Sequence, residues 1–383
     1  MTVSKEQNGT WRVDISNKNS PIHGRRLRHR KKGFKTKTEA LQYEAEYRIL
    51  KFNDTSQNQK VSITLLYSLL KEEDQLRGNK QGTVDTQDSY FNTYTSIYFK
   101  DSDMNLLTNR DIKKYRDWLQ KSPSIKGGNL SNSHVNQQMI FLHKLYEVGI
   151  SHGILLMNPC NNLKRLPEKH KEMDYYTPEE FKVFDSYFTK DEYNYQLLYR
   201  VLMYTGTRIG EALALTWKDI NFEENAVNIS KTAYFRNNKV YIGTVKTTQS
   251  NRTVYIHKGF VEELRNWKEK QAILLSKFTN DFESLQIYQN SPFLLTAPNI
   301  ANFRIMFKKR LPKNFKLIRN HDFRHSHSAF LISEGLRNGE GKDYLFFLLM
   351  KRLGHSSINT TINTYSHLFP SQQKEVANAF DNF

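Results

Sequence analysis

Cys160 is the only cysteine in 383 residues, which excludes an internal disulfide and any thiolate zinc cage. An intracellular, reducing setting is therefore expected. No run of about 18 apolar residues occurs, so no membrane-spanning helix is expected. The N-terminus, MTVSKEQNGTW, has no apolar stretch of the kind a secretion signal needs. Internal repeats and low-complexity tracts are also missing. Acidic side chains are scarce: 39 Asp and Glu face 57 Lys and Arg, a net charge of +18 and a pI near 9.6. That excess favours a polyanionic partner, nucleic acid before anionic lipid, over a merely basic surface. What is present suffices for packed cores: 38% of the residues are hydrophobic and 13% aromatic. A chain of this length should hold two or three domains.

The charge is unevenly spread. Residues 1–60 carry 14 basic and 6 acidic side chains, so +8 of the +18 falls in the first sixth. There, Trp11, Val13 and Ile15 alternate with polar neighbours as in a half-buried strand, and a Pro-His-Gly turn follows at 21–24. GRRLRHRKKGF then places Arg25, Arg26, Arg28, Arg30, Lys31 and Lys32 together with no acid among them. Thr36-Lys37-Thr38-Glu39 fits a capping box that opens a helix running to about Phe52. A basic strand face inside a structured module predicts contact with DNA rather than a solvated tail. NDTSQNQK, 53–60, is expected to be a linker.

Residues 61–158 return apolar side chains at three- and four-residue intervals in four segments, which predicts a helical domain with Tyr90, Tyr94 and Tyr98 in its core. MNPCNNLKRLPEKHKE, 157–172, breaks the period with two prolines, as an interdomain linker would. Thr177-Pro178-Glu179-Glu180 then supplies an N-cap, a proline at the first helical position and a glutamate at the third. A helix at 194–204 leads into TGTRIGEALALTW; AVNISKTAYF, KVYIGTVKTT and RTVYIH read as strands, and helices resume from about 300.

HDFRHSHSAF, 321–330, is open to two readings. His321 and His325 at i and i+4 resemble the histidine pair of a metal site. His321 and Arg324 at i and i+3 would instead suit a phosphate oxygen. The metal reading lacks a supporting carboxylate cluster. Elsewhere Arg208 follows a glycine turn at the start of an amphipathic helix, and Lys246 falls near the tip of an expected hairpin. His355 follows the glycine of LGHSS, and Tyr365 sits in a setting rich in Thr and Asn.

TGTRIGEALALTW, TVKTTQSNRTVYI, HDFRHSHSAFLI and LGHSSINTTINTYSHLFP occur in that order over about 160 residues, and together they resemble the tyrosine recombinase (phage integrase) family. The N-terminal module is similar to the arm-type DNA-binding domain of integrases from phages and integrative conjugative elements. Such a likeness implies an arm-type domain over 1–55, a helical, SAM-like core-binding domain over 61–158 and a catalytic domain over 174–383. The fold expected is multidomain and mainly α, with a small N-terminal sheet-plus-helix module and a mixed α+β catalytic domain holding a small antiparallel sheet. EGLRNGEGKDYLFFLLMKRLGH departs from the compact family pattern, with more residues between the arginine motif and LGH.

Residue by residue, the resemblance implies a site of Arg208, Lys246, His321, Arg324, His355 and the nucleophile Tyr365. The implied reaction is phosphoryl transfer from DNA to tyrosine through a 3′-phosphotyrosine. A free phenol, with a pKa near ~10, is a poor nucleophile at neutral pH, so positive charge must gather around it. Two arginine forks can clamp the non-bridging oxygens, and Lys246 can protonate the leaving 5′-oxygen. His321 and His355 can donate to phosphate oxygens or assist the proton at Tyr365. The intermediate conserves bond energy, so neither ATP nor a metal or other cofactor is expected. Glu211 could orient Arg208 or face solvent. His325, His327 and His367 are expected in structural or supporting roles. A cytoplasmic, nucleoid-associated bacterial protein is implied, acting as a homotetramer on double-stranded DNA at core and arm attachment sites. The resemblance also implies an excisionase and a host DNA-bending protein as accessory partners. A type IB topoisomerase-like enzyme is the alternative, against which the basic arm module argues.

Overall fold

In the computed structural model, the described residues are 3–7, 9–17, 27–52, 60–124, 127–168, 173–245 and 248–369. They fall into two compact units, Met1–His170 and Lys171–Phe383. The described residues are mainly helical, with small antiparallel sheets.

The first unit opens with β1 (Val3–Lys5), β2 (Trp11–Asn17) and β3 (Leu27–Phe34) as an antiparallel sheet in that order. Alternation along β2 puts Val13 and Ile15 on the buried face, where they meet Phe34 and Ala40. α1 (Lys37–Phe52) covers that face. Half of the expected capping box is present, with Thr36 Oγ1 accepting from the Glu39 N–H at 3.1 Å, while Glu39 accepts one residue earlier than the box requires, from the Lys35 N–H at 3.0 Å. The turn at 21–24 and most of the 53–60 linker lie outside the described residues.

A second core in this unit joins α2 (Ile63–Leu76), α3 (Gln81–Tyr90), α4 (Ser96–Tyr98), α5 (Asn109–Lys121) and α6 (Asn132–Ser151). α3 and α4 are one predicted helix interrupted by a π-turn at Phe91–Thr95. The Thr95 hydroxyl there lies 3.1 Å from the Tyr115 hydroxyl. Tyr90, Tyr94 and Tyr98 face the core, as expected. The 157–168 stretch is more than a tether. Asn136 on α6 donates to the Leu166 carbonyl at 3.0 Å and accepts from its N–H at 2.9 Å, while Cys160 is buried in the same core.

The second unit begins at α7 (Pro178–Ser186), where Thr177 and Glu180 form the reciprocal capping box. α8 (Tyr193–Thr205) and α9 (Ile209–Leu213) follow. β4 (Ile220–Asn221), β5 (Ala226–Ile229) and β8 (Arg252–Tyr255) form one antiparallel sheet, while β6 (Lys231–Arg236) and β7 (Lys239–Thr244) form a separate hairpin. AVNISKTAYF is therefore two strands of different sheets, divided at Ser230. The hairpin turns at Asn237–Asn238, both with positive φ, and not near position 246. α10 (Lys258–Leu275) was not expected, because its charged positions dilute the apolar stripe. It buries Phe260, Val261, Leu264 and Trp267, and its Gln271 accepts from Trp217 Nε1. α11 (Ala297–Arg310), α12 (Asp322–Arg337), α13 (Lys342–Leu353) and α14 (Ile358–Tyr365) complete the unit, with α12 packed on α8. The longer stretch between the arginine motif and LGH is taken up by full-length α12 and α13, which leaves the LGH turn intact.

Candidate active site

Two glycine turns set the site. α8 ends at Gly206, whose φ of 64° is left-handed and whose added Cβ would lie 2.6 Å from His327 Cδ2. α13 ends at Gly354, with φ 68° and an added Cβ 2.9 Å from the Gln249 carbonyl. Only glycine meets both demands. The first turn delivers Arg208 as the N-cap of α9, and the second delivers His355.

Arg324, on the first turn of α12, ties the two turns together. Its side chain is 2% exposed, with Nη1 donating to the Gly206 carbonyl at 2.9 Å and Nη2 to the Leu353 carbonyl at 2.6 Å. Burial first, and then the charges of Arg208 and Arg252, push its pKa down to about 9. A bound anion would relieve that crowding of cations, which is the electrostatic condition for an oxyanion clamp.

Glu211 is buried and does not face solvent. Oε1 accepts from Arg208 Nη1 at 2.8 Å, and Oε2 accepts from the Arg208 N–H at 3.1 Å. Oε2 also accepts from Arg252 Nη2 at 2.8 Å. Arg252 extends from β8 to the Arg352 carbonyl at 2.8 Å and the Ser250 carbonyl at 3.0 Å. It links α9, β8 and the end of α13, and sequence reading missed it. One signal was available: Arg252 and Val254 share a strand face, and Val254 is buried.

His355 is half-buried, with Nδ1 2.8 Å from Thr361 Oγ1. Burial, followed by Arg324, Arg208 and Arg252, pushes it down to about 4. His321 stands at the N-cap position of α12; loss of water around its ring and then Arg324 and Arg208 also hold it below the ordinary imidazole value. Tyr365 ends α14 and is buried, which raises its pKa, while the Ser328 hydroxyl, Arg324 and Arg208 lower it in part.

The other histidines separate. His325, expected in a structural or supporting role, has Nδ1 3.0 Å from the Tyr365 hydroxyl. His327 is a buried brace between the Met203 carbonyl at 2.8 Å and Arg352 Nε at 2.8 Å. His367 is exposed. Within the apparent metal pair, the His321 and His325 rings stand edge to face at 5.1 Å, and the Nδ1 of His325 engages the phenol. Among the described residues no three His, Cys, Asp or Glu side chains group as metal ligands. The structure thus brings His321, His355 and Tyr365 each within electrostatic reach of Arg208 and Arg324. Lys246 lies outside the described residues.

In the arm module, Arg25 and Arg26 lie outside the described residues, and Arg28 is described only as a backbone position of β3. Arg30 is exposed and paired with Asp14 at 2.6 Å, and Lys32 with Glu6 at 3.1 Å. Lys31 turns to the other face, 4.2 Å above the Tyr43 ring of α1. Two of the basic side chains are thus partly offset, by Asp14 on β2 and by Glu6 just after β1, which charge counting along GRRLRHRKKGF could not reveal.

Residues 177–372 match the phage integrase family, and residues 1–48 match an arm DNA-binding domain. The chain is 34% identical over 390 residues to the ICEBs1 integrase of Bacillus subtilis (strain 168), covering 100% of both chains. It is 24% identical to the integrase of Staphylococcus phage L54a, over 72% of this chain and 81% of that one. Among solved structures, the Tn1549 transposon integrase in complex with a circular intermediate DNA aligns with a TM-score of 0.63 at 19% identity, over 84% of this chain and 99% of that one. A lambda integrase tetramer bound to a Holliday junction aligns at 0.53 and 12% identity, over 97% and 95%. At these identities the structural matches establish the fold.

Proposed function

The chain belongs to the phage integrase family and is a tyrosine recombinase, and from that premise we propose that Tyr365 attacks a DNA phosphodiester held between Arg208 and Arg324. Its oxygen displaces the 5′-hydroxyl and leaves a 3′-phosphotyrosine; attack by another strand's 5′-hydroxyl rejoins DNA without ATP. Lys246 protonates the leaving oxygen, and His321 and His355 hydrogen-bond the phosphate. Arg208 and Arg324 supply charge that counts most in the transition state. The single observation that carries this reading is Arg324, which holds the turns of Arg208 and His355 together beside buried Tyr365.

The wider assignment follows the same premise. Residues 1–55 are an arm-type domain that reads a second DNA site through Arg25, Arg26, Arg28, Arg30 and Lys32, with Lys31 seated over Tyr43 on the opposite face. Residues 61–158 bind core DNA, and 174–383 form the catalytic domain. As an integrase of a mobile element the chain works as a tetramer on two double-stranded sites, with an excisionase and a host DNA-bending protein setting direction. It acts on the bacterial chromosome in the cytoplasm; no helix among the described residues is long and apolar enough to cross a membrane. The topoisomerase alternative draws no support from the relatives.

A nicked suicide substrate tests the chemistry. The parent protein should trap a covalent protein–DNA adduct, and Tyr365→Phe should trap none. Adduct formation by Tyr365→Phe would refute the nucleophile, and loss of the parent's adduct in EDTA would refute metal-free cleavage.

A further inference from the structure

Tyr365 is 1% exposed, yet its hydroxyl has a partner. The His325 ring stands at 61° to the phenol with centroids 5.6 Å apart, and Nδ1 lies 3.0 Å from the hydroxyl oxygen. His325 directly follows Arg324 on α12 and is 7% exposed. Burial, and after it the charge of His321, push its pKa down to about 4, so the ring is neutral at neutral pH. In the tautomer protonated on Nε2, Nδ1 is an acceptor to which the phenol O–H donates.

We propose that His325 is a further catalytic residue, one that aims the Tyr365 hydroxyl and takes its proton as the oxygen attacks phosphorus. The inference rests on Tyr365 being the nucleophile. In cleavage the bond from the tyrosine oxygen to phosphorus forms, and the bond from phosphorus to the 5′-oxygen breaks. The phenolic proton passes to His325 Nδ1, and the leaving 5′-oxygen takes a proton from Lys246. Rejoining reverses both transfers: the incoming 5′-hydroxyl returns a proton to Lys246, and the departing tyrosine recovers its own from His325. No outside reactant is needed. A phosphate seated against Arg324 offsets part of the positive field that holds down the proton affinity of His325. His321, edge-on to the His325 ring at 5.1 Å, is left to serve the phosphate.

The test is single-turnover adduct formation by the full chain, saturating over a nicked suicide duplex, with DNA affinity measured in parallel. His325→Leu should slow the chemical step by about 10²-fold or more while leaving affinity unchanged. His325→Asn keeps an acceptor near the Nδ1 position without a base, and its rate should fall between the two. Placing 3-fluorotyrosine at position 365 makes the phenol more acidic and should shrink the defect of either variant. A purely structural role would give the same defect with both phenols, and that result overturns the proposal. So does parent-like cleavage by both variants. If His325→Leu does not fold, His325→Asn with each phenol carries the same comparison. Tyr365→Phe runs alongside: an adduct from it would strike the nucleophile assignment, whereas a dead Tyr365→Phe with an unimpaired His325→Leu strikes His325 alone.

Discussion

Replacing Arg252 with methionine removes one of the two guanidinium groups that share Glu211. The Arg252 side chain is 6% exposed and the Glu211 side chain 4%, so water replaces little of what is lost. The lost contacts are the Glu211 Oε2 pair at 2.8 Å and bonds to the Arg352 and Ser250 carbonyls. Breaking a buried pair from one side costs about 3–5 kcal/mol, because the remaining charge stays buried. Glu211 keeps Arg208 and can take up a proton, which limits the loss to that range and gives it a pH signature. In the parent, burial raises the Glu211 pKa but Arg252, its largest opposing influence, and Arg208 bring the net value below the ordinary one. Its charge therefore stabilises the fold above the ordinary carboxylate range, and that contribution disappears as pH falls through the depressed folded value. Without Arg252, burial dominates and the folded value rises above the unfolded one. The variant then recovers stability relative to the parent as pH falls from 7 toward 4. Hydrogen exchange in graded urea, read on peptides within 193–256 of the full chain, measures this in the C-terminal unit alone. Arg252→Met/Glu211→Gln should recover much of the loss. A difference under about 1 kcal/mol at pH 7, the size of an exposed pair, would refute the reasoning, as would one that widens on acidification.

Three buried or half-buried histidines make the C-terminal unit acid-labile. His325 and His355 are pushed down to about 4 and His327 to about 3. The unfolded chain binds protons near 6.5 and the folded chain does not, so stability falls as pH drops from 6.5 toward 4. Fully buried His327 contributes about 2 kcal/mol of loss by pH 5, and His325 and His355, partly screened by water, each contribute less, checked by urea midpoints across that range. Gly206→Ala should cost about 1–3 kcal/mol from its left-handed backbone alone, more with the approach to His327, and calorimetry would show it. In the arm module, Arg30→Ala should weaken arm-site DNA binding and lower its salt slope by about one per lost phosphate contact, leaving core-site binding unchanged. An unchanged slope would remove Arg30 from the interface.

Local chemistry made much of this protein legible in its sequence. Thr177-Pro178-Glu179-Glu180 and Thr36-Glu39 announce helix starts because capping acts over three residues. Trp11, Val13 and Ile15 announce a strand because alternation acts over two. Gly206 and Gly354 mark turns, and the four ordered motifs carry the family. AVNISKTAYF and α10 were misread or missed because a strand's partner and a diluted apolar face are settled by packing. Glu211 shows the boundary within one residue: its spacing from Arg208 was visible, but its burial and second arginine were not.

Residue types, their order, the helix caps and the glycine turns are all set by chemistry within a few positions and were readable along the chain. Folding alone brought Arg324 across two turns, Arg252 to Glu211, and His325 rather than His321 to Tyr365. The partners in those contacts lie 118, 41 and 40 residues apart. A hydrogen bond acts at about 3 Å whatever the separation along the chain, so only the folded backbone could select them.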